Sequence, residues 1–337
     1  YGPEVMPEKL HWFKWEAYTT WISGFLLLGL VYYHGAAIYL IDSAVMALTP
    51  TEAILRGLGI IFGGLFIYEA ACRSPLAKYP QVFGIMFVVL LAAASYLATH
   101  WFSGRGAFIH VGALIGTIMA GNVFFKIMPA QRLMVEAVKN KQAVDPSWGM
   151  AAKLRSVHNN YLTLPLLFIM ISNHYPMTYQ HQNAWLVLMA IGVVSAWIRH
   201  YFNLKHIGIS RPSILITGAI GMILIAGWVS RPVTSVPETK TGAATTEIVK
   251  LNEQQQAVFD VMQTHCANCH SAKPTDEIFV VAPLGLTFDT WPQIQQRAAV
   301  IHRRAVITKD MPMMNKTAMT DQERQIIANW FTGLTTN

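Results

Sequence analysis

Cys266 and Cys269 stand two residues apart in the stretch 263–273, QTHCANCHSAK, with His270 directly behind. That spacing lets two thiols bond to haem vinyl groups while the histidine that follows takes the iron. The sixth ligand is expected downstream in KDMPMMNKTAMT, where Met311, Met313, Met314 and Met319 compete. Met311 precedes Pro312, the order found in the ligand turn of small c-type cytochromes, and is the expected one; a thioether there raises the potential. A zinc ribbon is excluded because no second cysteine pair exists. The third cysteine, Cys72, ends an apolar run and reads as a packing residue. The covalent haem c would therefore rest on Cys266, Cys269, His270 and Met311.

A haem on a tail must receive electrons, and the remaining chemistry-bearing residues lie in an apolar setting where polar groups are costly. One group is His34, His100, Arg105, His110 and His174; the other is Glu16, Glu69, His158, Asn159, Asn160, Arg199 and His200. Below His110 on its helix face come Ala113, Thr117 and Gly121, a strip of small residues with room for a flat macrocycle. His110 is thus a candidate iron ligand for a non-covalent haem b, with His100, His174 or a histidine in a segment ahead of Tyr1 as partner; the alternative is a histidine bonded to a neighbouring helix. SVHNNYLTLPLLF gathers His158, Asn159, Asn160, Tyr161 and Thr163 at an expected helix start. Those groups suit a planar, multiply hydrogen-bonding substrate, although the asparagines would equally serve as helix caps. WIRHYFNLKH adds Arg199, His200, Asn203 and His206, either a site or a basic helix end reaching for water.

The elements that must hold these residues are membrane helices. Of the 337 residues 53% are hydrophobic and 13% charged, and mean hydropathy is +0.35; soluble domains carry about 25% charged residues. Seven apolar runs long enough to span a bilayer are expected, at 16–41, 53–72, 80–99, 106–127, 157–172, 183–201 and 212–229. The loop 128–156 is read either as an interfacial helix or as a surface loop. Gly59 with Gly63, and Gly112 with Gly116, are expected at helix contacts. All-α architecture follows: a transmembrane bundle over 1–231, a Pro/Thr/Ser-rich flexible linker over 232–250, and a small all-α cytochrome c domain over 251–337.

Charge is uneven. Residues 1–231 hold 16 Lys/Arg against 8 Asp/Glu, and 251–337 hold 7 against 8. A pI near 9.3 is therefore a property of membrane loops, and a nucleic-acid partner is excluded. Loops on the N-terminal side carry thirteen basic residues: Lys9, Lys14, Arg73, Lys78, Lys126, Arg132, Lys139, Lys141, Lys153, Arg155, Arg199, Lys205 and Arg211. The other side carries Arg56, Arg105 and Arg231. The positive-inside rule puts the first side in the cytoplasm of a bacterial inner membrane and the tail in the periplasm.

Three stretches resemble a known family: LHWFKWEAYTTWISGF, FSGRGAFIHVGALIGTIMAGNVFFKIMPAQR and HNNYLTLPLLFIMISNHYPMTY. They are similar to the bacterial membrane-bound urate oxidases (urate hydroxylases), multi-span membrane domains fused to a C-terminal cytochrome c. The resemblance implies oxidation of urate to 5-hydroxyisourate, without peroxide, and electrons passed through haem c to a respiratory-chain acceptor. It also implies a further N-terminal span with its own histidines, expected ahead of Tyr1. His158, Asn159, Asn160, Glu16 and Arg199 are the residues on which urate chemistry would fall. Urate gives up two electrons and a single haem c takes one, so a second redox centre is expected. The rival reading is a quinol-oxidising or electron-relay subunit of a respiratory complex.

Overall fold

The computed structural model describes residues 13–42, 45–230, 251–277, 279 and 282–335. The expected linker 232–250, with Lys9 and Arg231 of the charge count, lies outside the described residues. The chain divides into two compact units, Tyr1–Arg231 and Pro232–Asn337, and no strand occurs among the described residues.

In the first unit, α1 (Phe13–Leu28) runs on through a wide turn at Gly29–Tyr33 and is followed by the short α2 (Ala36–Tyr39). Then come α3 (Pro50–Arg73), α4 (Pro80–Trp101) and α5 (Gly104–Lys139). After them come α6 (Pro146–Ser172), the single turn α7 (Pro176–Tyr179), α8 (Ala184–His206) and α9 (Pro212–Val229). Proline opens α3, α4, α6 and α9, where its missing N–H has no helical partner to lose. Thr49 and Glu52 cap α3 reciprocally, Ser103 caps α5 and Asp145 caps α6.

Among the described residues, five helices, α3, α4, α5, α8 and α9, are long and apolar enough to cross a membrane, as a membrane protein requires. The first and fifth of the seven expected spans are not among them. The first stops at Tyr33, because the chain breaks at Gly35; a Cβ there would lie 2.6 Å from the Val31 carbonyl oxygen. The fifth begins eleven residues earlier than expected, at Pro146, and its added half carries Lys153 and Arg155. Both still pack in the bundle, α1 against α5 and α6 against α5 and α8.

Two further expectations are corrected. Of the two readings of 128–156, the helical one holds over Met128–Lys139, where α5 continues through a wide turn at Val123–Ile127, and the loop shrinks to the connection between Lys139 and Pro146. Of the glycine pairs, Gly59, Gly63 and Gly116 face open space. The close approaches are at Gly64, where a Cβ would sit 2.5 Å from Leu114, and at Gly112, 2.6 Å from Ile169. The wide turn Gly59–Gly63 inserts an extra residue and rotates the following helix, so Gly64 inherits the contact.

The second unit comprises α10 (Glu253–His265), α11 (Trp291–Gln296), α12 (Ala298–Ile301, continuing through His302–Ile307) and α13 (Asp321–Thr335). Val258, Met262, Ile294, Ile327 and Trp330 form its core. Thr320 and Glu323 bond reciprocally at the start of α13, at 2.7 and 3.2 Å. Leu334 is 41% exposed because α13 outruns the core at its last turn.

Candidate functional site

Asn159 and Asn160 lie in the middle of α6, so the capping alternative is excluded: Asp145 holds that position, accepting from Ser147 N at 2.8 Å. Arg155, counted from sequence as a loop charge, is a helix residue only 5% exposed. Its Nη1 donates to Glu69 Oε1 and to Asn122 Oδ1, both at 2.8 Å, and its Nη2 donates to Glu69 Oε2 at 3.1 Å. Asn122 passes the polarity on: its Nδ2 donates to Asn159 Oδ1 at 2.8 Å and to Tyr68 Oη at 3.0 Å. Tyr68 Oη lies 2.7 Å from His158 Nδ1, and Phe83 stacks on the His158 ring at 4.9 Å.

This network joins α3, α5 and α6 through Glu69, Arg155, Asn122, Tyr68, Asn159 and His158. Tyr68 and Asn122 are fully buried, and a buried charge is tolerated only when paired and hydrogen-bonded. Sequence reading missed Tyr68, Asn122 and Arg155; an asparagine inside an apolar span was the available signal. Asn159 also donates to the Met119 carbonyl at 3.0 Å. With its amide bonded at both ends, Asn159 ties helices together.

Beside the network, α8 presents a second cluster. Arg199 Nη2 donates to Asn160 Oδ1 at 3.3 Å, and Tyr161 Oη lies 2.6 Å from His200 Nδ1. Arg199 Nε and Asn203 Nδ2 are buried donors with no hydrogen-bond partner. A buried donor left unpaired costs about 1–3 kcal/mol, so these atoms call for an acceptor. Glu16 is exposed on α1 and is not one of the residues the two clusters join.

His110 on α5 is completely buried. Its Nδ1–H donates to the Gly106 carbonyl at 2.8 Å, leaving Nε2 bare. That is the tautomer an iron ligand needs, yet the surroundings do not fit a haem b. A Cβ at Gly57 would lie 2.6 Å from Nε2, and Phe102 and Tyr33 pack on the ring at 4.9 and 5.7 Å. The strip below is also filled: Thr117 accepts from Trp21 at 3.0 Å, and Leu65 closes on Gly121. His100 and His174, the proposed partner ligands, are exposed, as is His34. Close packing of α1 and α3 onto α5 takes the space that the small residues left open.

In the second unit the residues present fit a covalent haem. Cys266 and Cys269 are free thiols. His270 Nδ1–H donates to the Leu286 carbonyl at 2.9 Å, which fixes the ring and leaves Nε2 for iron. Burial pushes this imidazole toward the neutral form that can ligate. Among the methionines, Met319 is in the core at 3% exposed, while Met313 and Met314 are 41% and 87% exposed. Met311 is half-buried and its backbone is held on both sides: its N–H donates to Arg304 O at 3.2 Å, and its carbonyl accepts from Arg324 Nη1 at 2.8 Å. Arg324, itself buried, also donates to the Ala305 carbonyl. No cluster of three or more His, Cys, Asp or Glu suited to a metal ion occurs among the described residues.

Comparison with known families decides the membrane unit. The family described as urate oxidase N-terminal matches residues 1–230. The chain belongs to this family. It is therefore related to urate oxidases, an oxidoreductase lineage, with its matched region ending where the first compact unit ends. No curated protein and no solved structure matches the chain.

Proposed function

We propose that the protein is a membrane-bound urate oxidase that converts urate to 5-hydroxyisourate and passes the electrons to a haem c on its C-terminal unit. The observation that carries this reading is the pair of unpartnered buried donors, Arg199 Nε and Asn203 Nδ2, four residues apart on α8, with Arg199 bonded to Asn160. Urate is a planar anion rimmed with carbonyl oxygens and ring N–H groups. Its carbonyls would accept from Arg199 and Asn203, its N–H groups would donate to Asn160 Oδ1, and Arg199 would balance its charge. Water hydroxylates C5, and two protons leave with the two electrons. Glu16 has no place in this arrangement.

Haem c, held by Cys266, Cys269, His270 and Met311, supplies a one-electron acceptor. Around it, His270 is oriented through Leu286, and Arg324 positions the Met311 turn. The tail would then face the periplasm, pass electrons to a respiratory acceptor, and leave no peroxide. The test is to add urate to anaerobic, oxidised full-length protein and follow the haem c absorption bands. Two haem c reduced for each 5-hydroxyisourate formed supports the reading. Unchanged bands with intact haem c would refute it.

A further inference from the structure

A cavity of about 680 Å³ lies between α4, α5, α6 and α8. Along α4 its lining runs from Pro80 to Ser95, roughly 22 Å at 1.5 Å per residue. One end is polar, with Gln81, His158 and His200; the rest is apolar, through Phe87, Leu91 and Leu188. Val88, Leu154 and Val193 line it and are 44%, 40% and 51% exposed, so it opens on the outer face of the bundle where lipid tails would lie. Urate, small and anionic, does not match such a lining.

The two imidazoles at its polar end are set by their neighbours. Arg155 donates to Asn122 Oδ1, and Asn122 donates to Tyr68 Oη. Tyr68 Oη also reaches Asn122 Oδ1 at 3.2 Å, but its contact with His158 Nδ1, at 2.7 Å, is the shorter and stronger one. The Tyr68 proton therefore goes to His158 Nδ1, and the ring carries its own proton on Nε2. Nδ1 of His200 is likewise taken, by Tyr161. A protonated Nε2 cannot bind iron but donates well to a carbonyl. An acyl chain would leave both rings unused.

We propose that this cavity binds a lipophilic quinone, its ring carbonyls on His158 and His200 and its apolar tail along α4 toward Ser95. A quinone takes two electrons and two protons to become a quinol. Urate and water give 5-hydroxyisourate, two electrons and two protons, so the two half-reactions balance where a single haem does not. That role rests on the urate reading; binding of the quinone does not.

Gly192 and Gly84 supply the test, since both line the cavity and a Cβ at either meets nothing within 4 Å. Full-length protein in detergent is titrated with a short-tailed benzoquinone without urate, following tryptophan fluorescence; Trp197 stacks on His200 at 5.7 Å. One saturable site per chain is expected, weakened at least tenfold in Gly192→Phe and in Gly84→Phe, with haem c bands and gel-filtration profile intact. Loss in His158→Phe with binding of hexadecane unchanged adds the donor's contribution. No saturable binding, equal binding by wild type and both glycine variants, or haem b extractable from the membrane unit would overturn the proposal. Quinone binding with no reduction by urate would leave the cavity assignment standing and refute the quinone's role as acceptor, while absence of haem c reduction by urate would refute the urate reading.

Discussion

Arg155 on α6 grips Glu69 on α3 through two contacts, at 2.8 and 3.1 Å, among helices that are otherwise apolar. Arg73 touches the same carboxylate at 3.5 Å but is 74% exposed. Arg155 thus bears the burden of neutralising Glu69 and, through Asn122, sets the direction of the bonds that reach His158.

Removing one partner of a buried pair costs about 3–5 kcal/mol, because the other charge is left uncompensated. Arg155→Met should fall at the low end, about 3 kcal/mol, since Arg73 still screens Glu69 in part. Adding Glu69→Gln should recover more than half of the loss. Thermal unfolding in detergent measures both; no recovery in the double variant would show that Arg155 acts through Asn122 alone.

Tyr68→Phe keeps the ring but removes the hydroxyl that orients His158. The rate of urate-dependent haem c reduction should drop by up to about tenfold, the worth of one lost hydrogen bond, while the haem c spectrum is unchanged. His158→Ala should do at least as much. Normal turnover in both variants, measured by stopped-flow absorbance, would remove His158 from the chemistry.

Met311→Ala should abolish the weak absorption band of methionine bound to ferric haem and lower the midpoint potential. Met313→Ala and Met314→Ala, at exposed positions, should leave both untouched. Arg324→Ala, which frees the Met311 carbonyl, should weaken the band without erasing it. A band lost in Met314→Ala would reassign the ligand.

Bonds from the Thr320 backbone and from His265 hold the Glu323 carboxyl down from the ordinary 4.5 to about 2. A depressed carboxyl stabilises the folded unit above its unfolded value and stops doing so as pH falls through the folded one. The C-terminal unit should therefore lose stability between about pH 4.5 and about pH 2, and Glu323→Gln should be less stable at neutral pH with a flatter acid limb. Loss of the haem absorption of the full chain on acid titration follows this; parallel acid limbs would contradict it.

Protease added to intact spheroplasts should cut within 232–250 and release the haem-bearing fragment, since the charge count puts that segment outside the cytoplasm. The sign of the count does not depend on Arg155. Cleavage from outside at 140–145, between α5 and α6, would reverse the orientation.

Helix positions were legible in the sequence because they are local. Pro212–Val229 has the bounds that its apolar run predicts, since proline and hydrophobic length act over neighbouring residues. Cys266, Cys269 and His270 are a motif of adjacent residues, and Thr320 with Glu323 caps a helix within four positions. What the sequence could not supply was partnership across the bundle. The strip below His110 looked open because small residues on one helix say nothing of what covers them; Trp21 and Leu65, from α1 and α3, do. Arg155 looked like a loop charge because its partner Glu69 is 86 residues away, and only packing α6 onto α3 makes burying it cheaper than exposing it. The cavity at His158 and His200 likewise exists only because α4 and α8 stand apart there. Local chemistry decides which segments are helices; the competition between burial and pairing, settled between helices, decides which polar residues become a site.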